Sequence, residues 1–190
     1  MRDSAKPPED ARTRILDAAE ELFAREGFDA TSTARLATQA RVPKGLLFYY
    51  FPKKIDVLLT LLAERLPAEP VREPAALSEP GDVARSLVRL ADRLDLGNHE
   101  SVVLRTIVWR EAETHPEVAA YLRRLYADLV EATAQVMTAA AGGTVDPSRC
   151  TAAATAWVGT MLLAASTSRS GGPAPDLPAV ARFLADGLRR

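Results

Sequence analysis

The stretch from Gly27 to Pro52 constrains this chain more than any other, because its punctuation leaves room only for short helices. Upstream, from about Asp10 to Glu26, Ile15, Ala18, Ala19, Leu22 and Phe23 recur at helical spacing on one stripe. Gly27 follows as the residue that most readily takes the left-handed conformation ending a helix, and Phe28 re-enters the core. Thr31-Ser32-Thr33 then offers N-cap oxygens to ARLATQA, whose Leu36 and Ala37 face inward. A break at Arg41-Val42 comes next. Pro43 suits the first turn of the following helix, where its fixed φ fits and no N–H is lost. That helix ends by Phe51-Pro52, and KKIDVLLTLLAERL opens a longer one with Ile55, Leu58, Leu59 and Leu62 inside. Two short helices joined by a tight turn, preceded by a third, make a helix-turn-helix unit.

The rest of the sequence keeps the helical pattern, and no segment sustains strand alternation. Residues 67–80, PAEPVREPAALSEP, hold four prolines and read as a linker or long loop. Beyond it the spacing predicts helices at about 82–96, 101–114, 116–141, 147–168 and 177–189. Pro116 opens the best marked of these, Val118, Leu122, Leu125, Leu129 and Val136 stripe it, and Gly142-Gly143 closes it. The expected fold is all-α: a flexible arm over 1–9, a helix-turn-helix domain over 10–54 and a helical body over 55–190.

Several classes of function find no support. One cysteine, Cys150, rules out an internal disulfide framework and fits a reducing compartment. The polar start MRDSAKPPED shows no secretory signal, so a cytoplasmic location is expected. The uncharged run CTAAATAWVGTMLLAASTS has the length of a membrane span, but Ala and Thr insert poorly; it reads instead as a helix buried in the protein or at an interface. His99 and His115 lie in no metal-ligand spacing with each other or Cys150, and His115 before Pro116 is explained as a helix start. No phosphate-binding loop or nucleophile elbow is present. Neither catalysis, a metal nor a cofactor is expected.

A formal net charge of −1 hides a local asymmetry. From Ala30 to Ile55 the chain carries Arg35, Arg41, Lys44, Lys53 and Lys54 and no acid, a small basic face compatible with site-specific DNA binding. The same window holds Phe48-Tyr49-Tyr50-Phe51, although the whole chain has only five Phe, four Tyr and two Trp. Neighbours on a helix point different ways, so the run must split. Leu47 and Phe51, four apart, go to the core with Val42. Lys44 and Phe48 share another face, with Gly45 and Tyr49 beside it, and these point toward a groove. Tyr49 and Tyr50 can offer phenolic O–H groups to phosphate, and Lys54 adds a cation at a helix N-terminus that already favours an anion.

The ordered pattern of Thr13, Ile15, Ala18-Ala19, Leu22-Phe23, Gly27, Thr31, Leu36-Ala37, Ala40, Val42, Lys44-Gly45, Leu47, Tyr50-Phe51, Lys54 and Leu58 resembles the TetR family of transcriptional repressors. The resemblance covers the first quarter of the chain. It implies a homodimer that binds a palindromic operator in double-stranded DNA and a C-terminal domain that takes a small-molecule effector and dimerises through its last two helices. Binding of effector would change the separation of the reading heads and release DNA. Thr31, Ser32, Thr33, Arg41, Pro43, Lys44, Gly45, Leu46, Phe48, Tyr49, Tyr50, Lys53 and Lys54 form the expected DNA-contacting set. Arg41 stands where the family usually has Gly, so either the turn differs or Arg41 offsets about 1 kcal/mol of left-handed strain through a phosphate. Pro43 replaces a usual Ser, Phe48 a frequent Tyr, and Thr33 occupies a usually apolar position. An activator on the same fold, and a helical interaction module or enzyme without DNA binding, are the alternative readings.

For the C-terminal body, Trp109, Glu113, Tyr121, Tyr126, Trp157 and Met161 are the candidates to surround a ligand cavity, although aromatic and Met side chains at helical spacing are more often core. Ala153, Trp157, Leu162, Val180 and Leu184 mark the expected dimer interface, a four-helix bundle made by the last two helices and their two-fold copies. Trp157 and Met161 fit either role.

Overall fold

The computed structural model describes residues 9–65, 73–94, 96, 111–143, 145–170 and 173–189. Regular structure among them is entirely helical: α1 Glu9–Glu26, α2 Thr33–Gln39, α3 Lys44–Tyr50, α4 Lys54–Arg65, α5 Pro74–Leu77, α6 Val83–Leu94, α7 Pro116–Ala140, α8 Pro147–Ser170 and α9 Leu177–Leu188. Residues 111–114 are also helical. The all-α fold expected from periodicity is therefore present, with most boundaries within two residues. The short α5 interrupts the proline-rich stretch expected to be a loop; Pro74 opens it, in the place where a missing N–H does least harm. Most of the expected arm, and most of the expected helix 101–114, lie outside the described residues.

The chain forms two compact units. One holds α1–α4 with residues 111–121, and the other holds α5, α6, the rest of α7, α8 and α9. The expected boundary after residue 54 is corrected by α4, which stays with the N-terminal helices. Its Val57, Leu58, Leu61 and Leu62 are fully buried, and it packs on α1.

In the first unit α1 supplies the floor of the core through Ile15, Ala19, Leu22 and Phe23, all at most 1% exposed. α2 adds Leu36 and Ala37, and α3 adds only Leu47, so these two short helices depend on α1 for stability. Gly27 sits at φ 93° and donates its N–H to the Phe23 carbonyl at 2.9 Å, ending α1. Phe28 then turns back edge-on to Phe23, ring centroids 5.2 Å apart. In the second unit α9 packs on α6 and α8 over a core containing Leu87, Leu90, Val136, Met137, Trp157 and Val158. No helix among the described residues is long and apolar enough to cross a membrane.

Candidate nucleic-acid interface

The two short helices are positioned by their caps. Ser32 is the N-cap of α2, and its Oγ accepts the Arg35 N–H at 3.2 Å. At the other end the Arg41 N–H donates to the Thr38 carbonyl (3.1 Å) and the Val42 N–H to the Ala37 carbonyl (3.0 Å). Those two bonds, with Arg41 at φ 53°, make a Schellman C-cap. The turn therefore keeps the geometry that glycine would favour, with an arginine forced into it. Pro43, at φ −59°, is the N-cap of α3 rather than its first helical residue; its carbonyl accepts from Leu46 N (2.9 Å) and Leu47 N (3.2 Å). Having no hydroxyl, it gives no side-chain cap.

The α3 aromatic run divides as its spacing requires. Leu47, Phe51 and Val42 are buried, at 0%, 3% and 8% exposure. Lys44, Gly45, Phe48 and Tyr49 are exposed on the other side, Phe48 to 40% and Tyr49 to 65%. The Lys44 ammonium lies 5.7 Å from the Phe48 ring centroid, so one cation and one ring share a face. A Cβ built on Gly45 would meet nothing within 4 Å, so nothing in this chain needs a glycine there. Leu46 and Tyr50 are half-buried; the Tyr50 ring packs edge-on to Tyr49 at 5.4 Å and tilted to Phe51 at 6.4 Å. The Arg12 guanidinium lies 5.8 Å from the centroid of the buried Phe51 ring and pairs with Glu64, tying α1, α3 and α4 together.

Two expected DNA contacts are corrected. Lys54 turns inward: its Nζ donates to the carbonyls of Phe28 (2.8 Å) and Thr31 (3.2 Å) and lies 4.2 Å from the Phe28 ring centroid. The ammonium gathers carbonyls of the α1–α2 connection, the Phe28 one also accepting the Thr31 N–H at 3.2 Å, so it is a staple within the protein and not a phosphate clamp. Thr31 is 0% exposed, and its Oγ1 donates to the Gly27 carbonyl at 2.7 Å. Ser32, Thr33, Arg41, Pro43 and Lys53 remain accessible to solvent around α3. The Lys53 backbone N–H donates to Asp56 Oδ2 at 2.8 Å, half of a capping box that starts α4. Arg35, also in the basic window, pairs with Glu26 at 2.8 Å.

The expected ligand residues do not form one cluster. Trp109 lies outside the described residues. Glu113 is exposed, and Tyr126, 37% exposed, lines an open groove between α7 and α8 that none of the other expected residues among those described reaches. Trp157 and Met161 do come together in the core of the second unit. The Trp157 Nε1–H is buried without a partner, and so is the Tyr121 hydroxyl in the first unit, whose burial raises the phenol pKa above its ordinary value.

Of the expected interface residues, Trp157 is 0% exposed within the single chain and has no face left for a partner, which corrects that assignment. Ala153, Leu162, Val180 and Leu184 are half-buried against the same core. The outward row lies one residue away: Ala152, Ala156, Gly159 and Leu163 on α8 are exposed, as is Phe183 on α9, at 77%.

Sequence reasoning missed Asp29 and Glu111, which meet His115 in the first unit. The expected helix-start role of His115 is seen, since its carbonyl accepts the Ala119 N–H at 3.1 Å. Glu111 and His115 are four apart, a spacing that could have paired them, but no local signal joins Asp29 to them, because it comes from a distant segment.

An all-helical chain with a stapled helix-turn-helix and an exposed basic and aromatic face on its second short helix belongs to the class of helix-turn-helix DNA-binding proteins. Over residues 15–61 it matches the family described as bacterial regulatory proteins, tetR family. It is 27% identical over 140 residues to the HTH-type transcriptional regulator UidR of Escherichia coli K12, covering 72% of this chain and 68% of UidR. It is 28% identical over 110 residues to the HTH-type transcriptional repressor SCO4008 of Streptomyces coelicolor, covering 58% of this chain and 54% of that one. Its fold matches GusR of Salmonella enterica with a TM-score of 0.69 over 99% of this chain and 100% of that one, at 22% identity. The helix-turn-helix domain is that of the tetR family of bacterial regulatory proteins, and the chain as a whole is similar to that family's transcriptional regulators.

Proposed function

We propose that this regulator is a cytoplasmic repressor that binds a palindromic operator as a homodimer and is released by a small molecule. The exposed face of α3 carries the reading: Lys44, Gly45, Phe48 and Tyr49 together present a cation, a gap and two rings on a face that no other helix among the described residues covers. A major groove admits such a helix, Lys44 is placed to read guanine, and Phe48 offers apolar contact to a thymine methyl. Ser32, Thr33, Arg41, Lys53, Tyr49 and Tyr50 flank that face and supply phosphate contacts. The domain boundary fitting this reading runs through the end of α4. Repression is supported by the likeness to a named repressor. Effector binding is supported by the buried, unpartnered Trp157 Nε1–H, since such a donor is costly unless something accepts from it. Dimerisation is supported by the outward row on α8 and by Phe183.

The test is anisotropy of a labelled palindrome from the chain's own promoter region. Affinity should fall steeply with salt, because neutralised phosphates release counterions. Lys44→Ala should relax base preference at one half-site position. Unchanged binding by both Lys44→Ala and Tyr49→Ala variants would refute the face assigned here.

A further inference from the structure

The geometry points to a binding site for a borderline divalent cation, of the Zn²⁺ type, formed by Asp29, Glu111 and His115 in the first unit. One potential ligand atom from each lies within 4.8 Å of the other two. His115 Nε2 is 3.3 Å from Asp29 Oδ1 and 3.4 Å from Glu111 Oε2. A tetrahedral ion with bonds of about 2.1 Å holds its ligand atoms about 3.4 Å apart, so both spacings suit an ion at the centre. They suit a direct ion pair less well, since a charge-assisted N–H···O bond closes to about 2.7–2.9 Å.

A separate observation supports the same conclusion. Nε2 is buried and makes no hydrogen bond, although two carboxylate oxygens face it. An imidazole nitrogen flanked by two carboxylate oxygens with no hydrogen bond between them is a donor set that a divalent cation can bridge.

The elements hold this arrangement in advance. Glu111 is 3% exposed, and it lies four residues before His115, one helical turn away on the same side. The His115 N–H donates to the Glu111 carbonyl at 2.8 Å, closing that turn. The imidazole is wedged edge-on against Phe28, centroids 4.8 Å apart at 80°, which limits its rotation. Asp29 is on the turn whose carbonyls at Phe28 and Thr31 are held by Lys54. Its side chain is 74% exposed, which gives an ion a way in and leaves a fourth position for water. One imidazole nitrogen and two carboxylates select a first-row divalent cation over Mg²⁺ or Ca²⁺, which prefer all-oxygen shells. The bound ion would join the turn leading into α2 to the segment before α7, both within one unit.

The experiment uses the full chain, stripped with chelator and titrated with Zn²⁺ by calorimetry, with Mg²⁺ as the contrast and Co²⁺ absorption as a second readout. One Zn²⁺ per chain is expected, with no saturable Mg²⁺ uptake and a tetrahedral Co²⁺ spectrum. His115→Ala should weaken the affinity at least tenfold. Asp29→Asn should do the same, and because that side chain is exposed the variant keeps its fold. Absence of saturable Zn²⁺ uptake would overturn the site, as would uptake unchanged in both variants. The readout needs no DNA, so it stands or falls apart from the repressor reading.

Discussion

Arg41 holds φ 53°, where glycine is free and an L side chain is strained by roughly 1 kcal/mol. Its side chain is exposed in the turn before α3. These two facts act in opposite directions on one substitution. Arg41→Gly should raise stability by up to about 1 kcal/mol in chemical denaturation, while lowering operator affinity and flattening its salt dependence by about one phosphate. A variant that lost stability would show that the turn depends on the arginine itself. Lys54 gives the converse case. Lys54→Met removes the donor to the carbonyls of Phe28 and Thr31, for a loss on the order of 2 kcal/mol. The salt slope of DNA binding should not change, because that charge faces inward. Gly45 separates the two roles most cleanly. Its Cβ position is empty and helical, so Gly45→Ala should be neutral or stabilising by about 0.5–1 kcal/mol. If α3 enters the groove on that side, the same methyl group should weaken DNA binding tenfold or more; unchanged affinity would place the groove elsewhere.

At the scale of single helices, legibility followed the range of the interactions. α1, α2 and α3 could be read because their signals are local: a stripe at helical spacing, Gly27 at a terminus, Ser32 at a cap. The split of the α3 run into Leu47 and Phe51 inside and Lys44, Phe48 and Tyr49 outside follows from the same period. Lys54 could not be read correctly, because its partners on the α1–α2 connection are far away in sequence and lysine at a helix start also suits an anion. Thr31 was misplaced for a related reason: three adjacent hydroxyls can each cap, and only packing decides that Thr31 is buried while Ser32 caps. The start of α8 was legible as Asp146-Pro147, and it carries a pH dependence. Asp146 Oδ1 accepts from the Ser148 hydroxyl, the Ser148 N–H (2.7 Å) and the Arg149 N–H (3.3 Å). Those bonds, the Ser148 hydroxyl first, lower its pKa below 3.8. A lowered carboxylate pKa gives stability that is present above the unfolded value and is lost as pH falls through the folded one. Asp146→Asn should therefore melt earlier than the unaltered chain at pH 7. The gap should begin to narrow only below the ordinary carboxylate value and close as pH falls through the lowered folded one, where both caps are neutral. A gap of constant size across that range would remove the charge from the account.

Across the whole molecule, the hardest question for the sequence was which side of α8 faces out. The helix is apolar around most of its circumference, so its pattern names no single buried face. Ala153, Trp157 and Leu162 were read as an apolar face toward a partner, yet Trp157 fills the core and the other two lean on it. The outward row Ala152, Ala156, Gly159 and Leu163 is one residue away, a rotation of about 100°. Its residues recur at intervals of four, three and four, the spacing of a helix–helix seam. Small side chains there allow close approach, and Leu163, 54% exposed, with Phe183, 77% exposed, supplies the apolar area that a lone protomer leaves in water. A two-fold axis would bring these residues onto their own copies, so each contact occurs twice and a charge placed there is opposed by its twin. Phe183→Glu should then reduce the sedimenting species from twice 20.5 kDa to 20.5 kDa at micromolar concentration, with helical content retained because Phe183 supports none of the core. Operator binding should weaken in the same variant and lose its preference for a palindrome over a half-site, since two reading helices held together recognise what one cannot. A Phe183→Glu chain that stayed dimeric would move the interface off this face of α8 and α9.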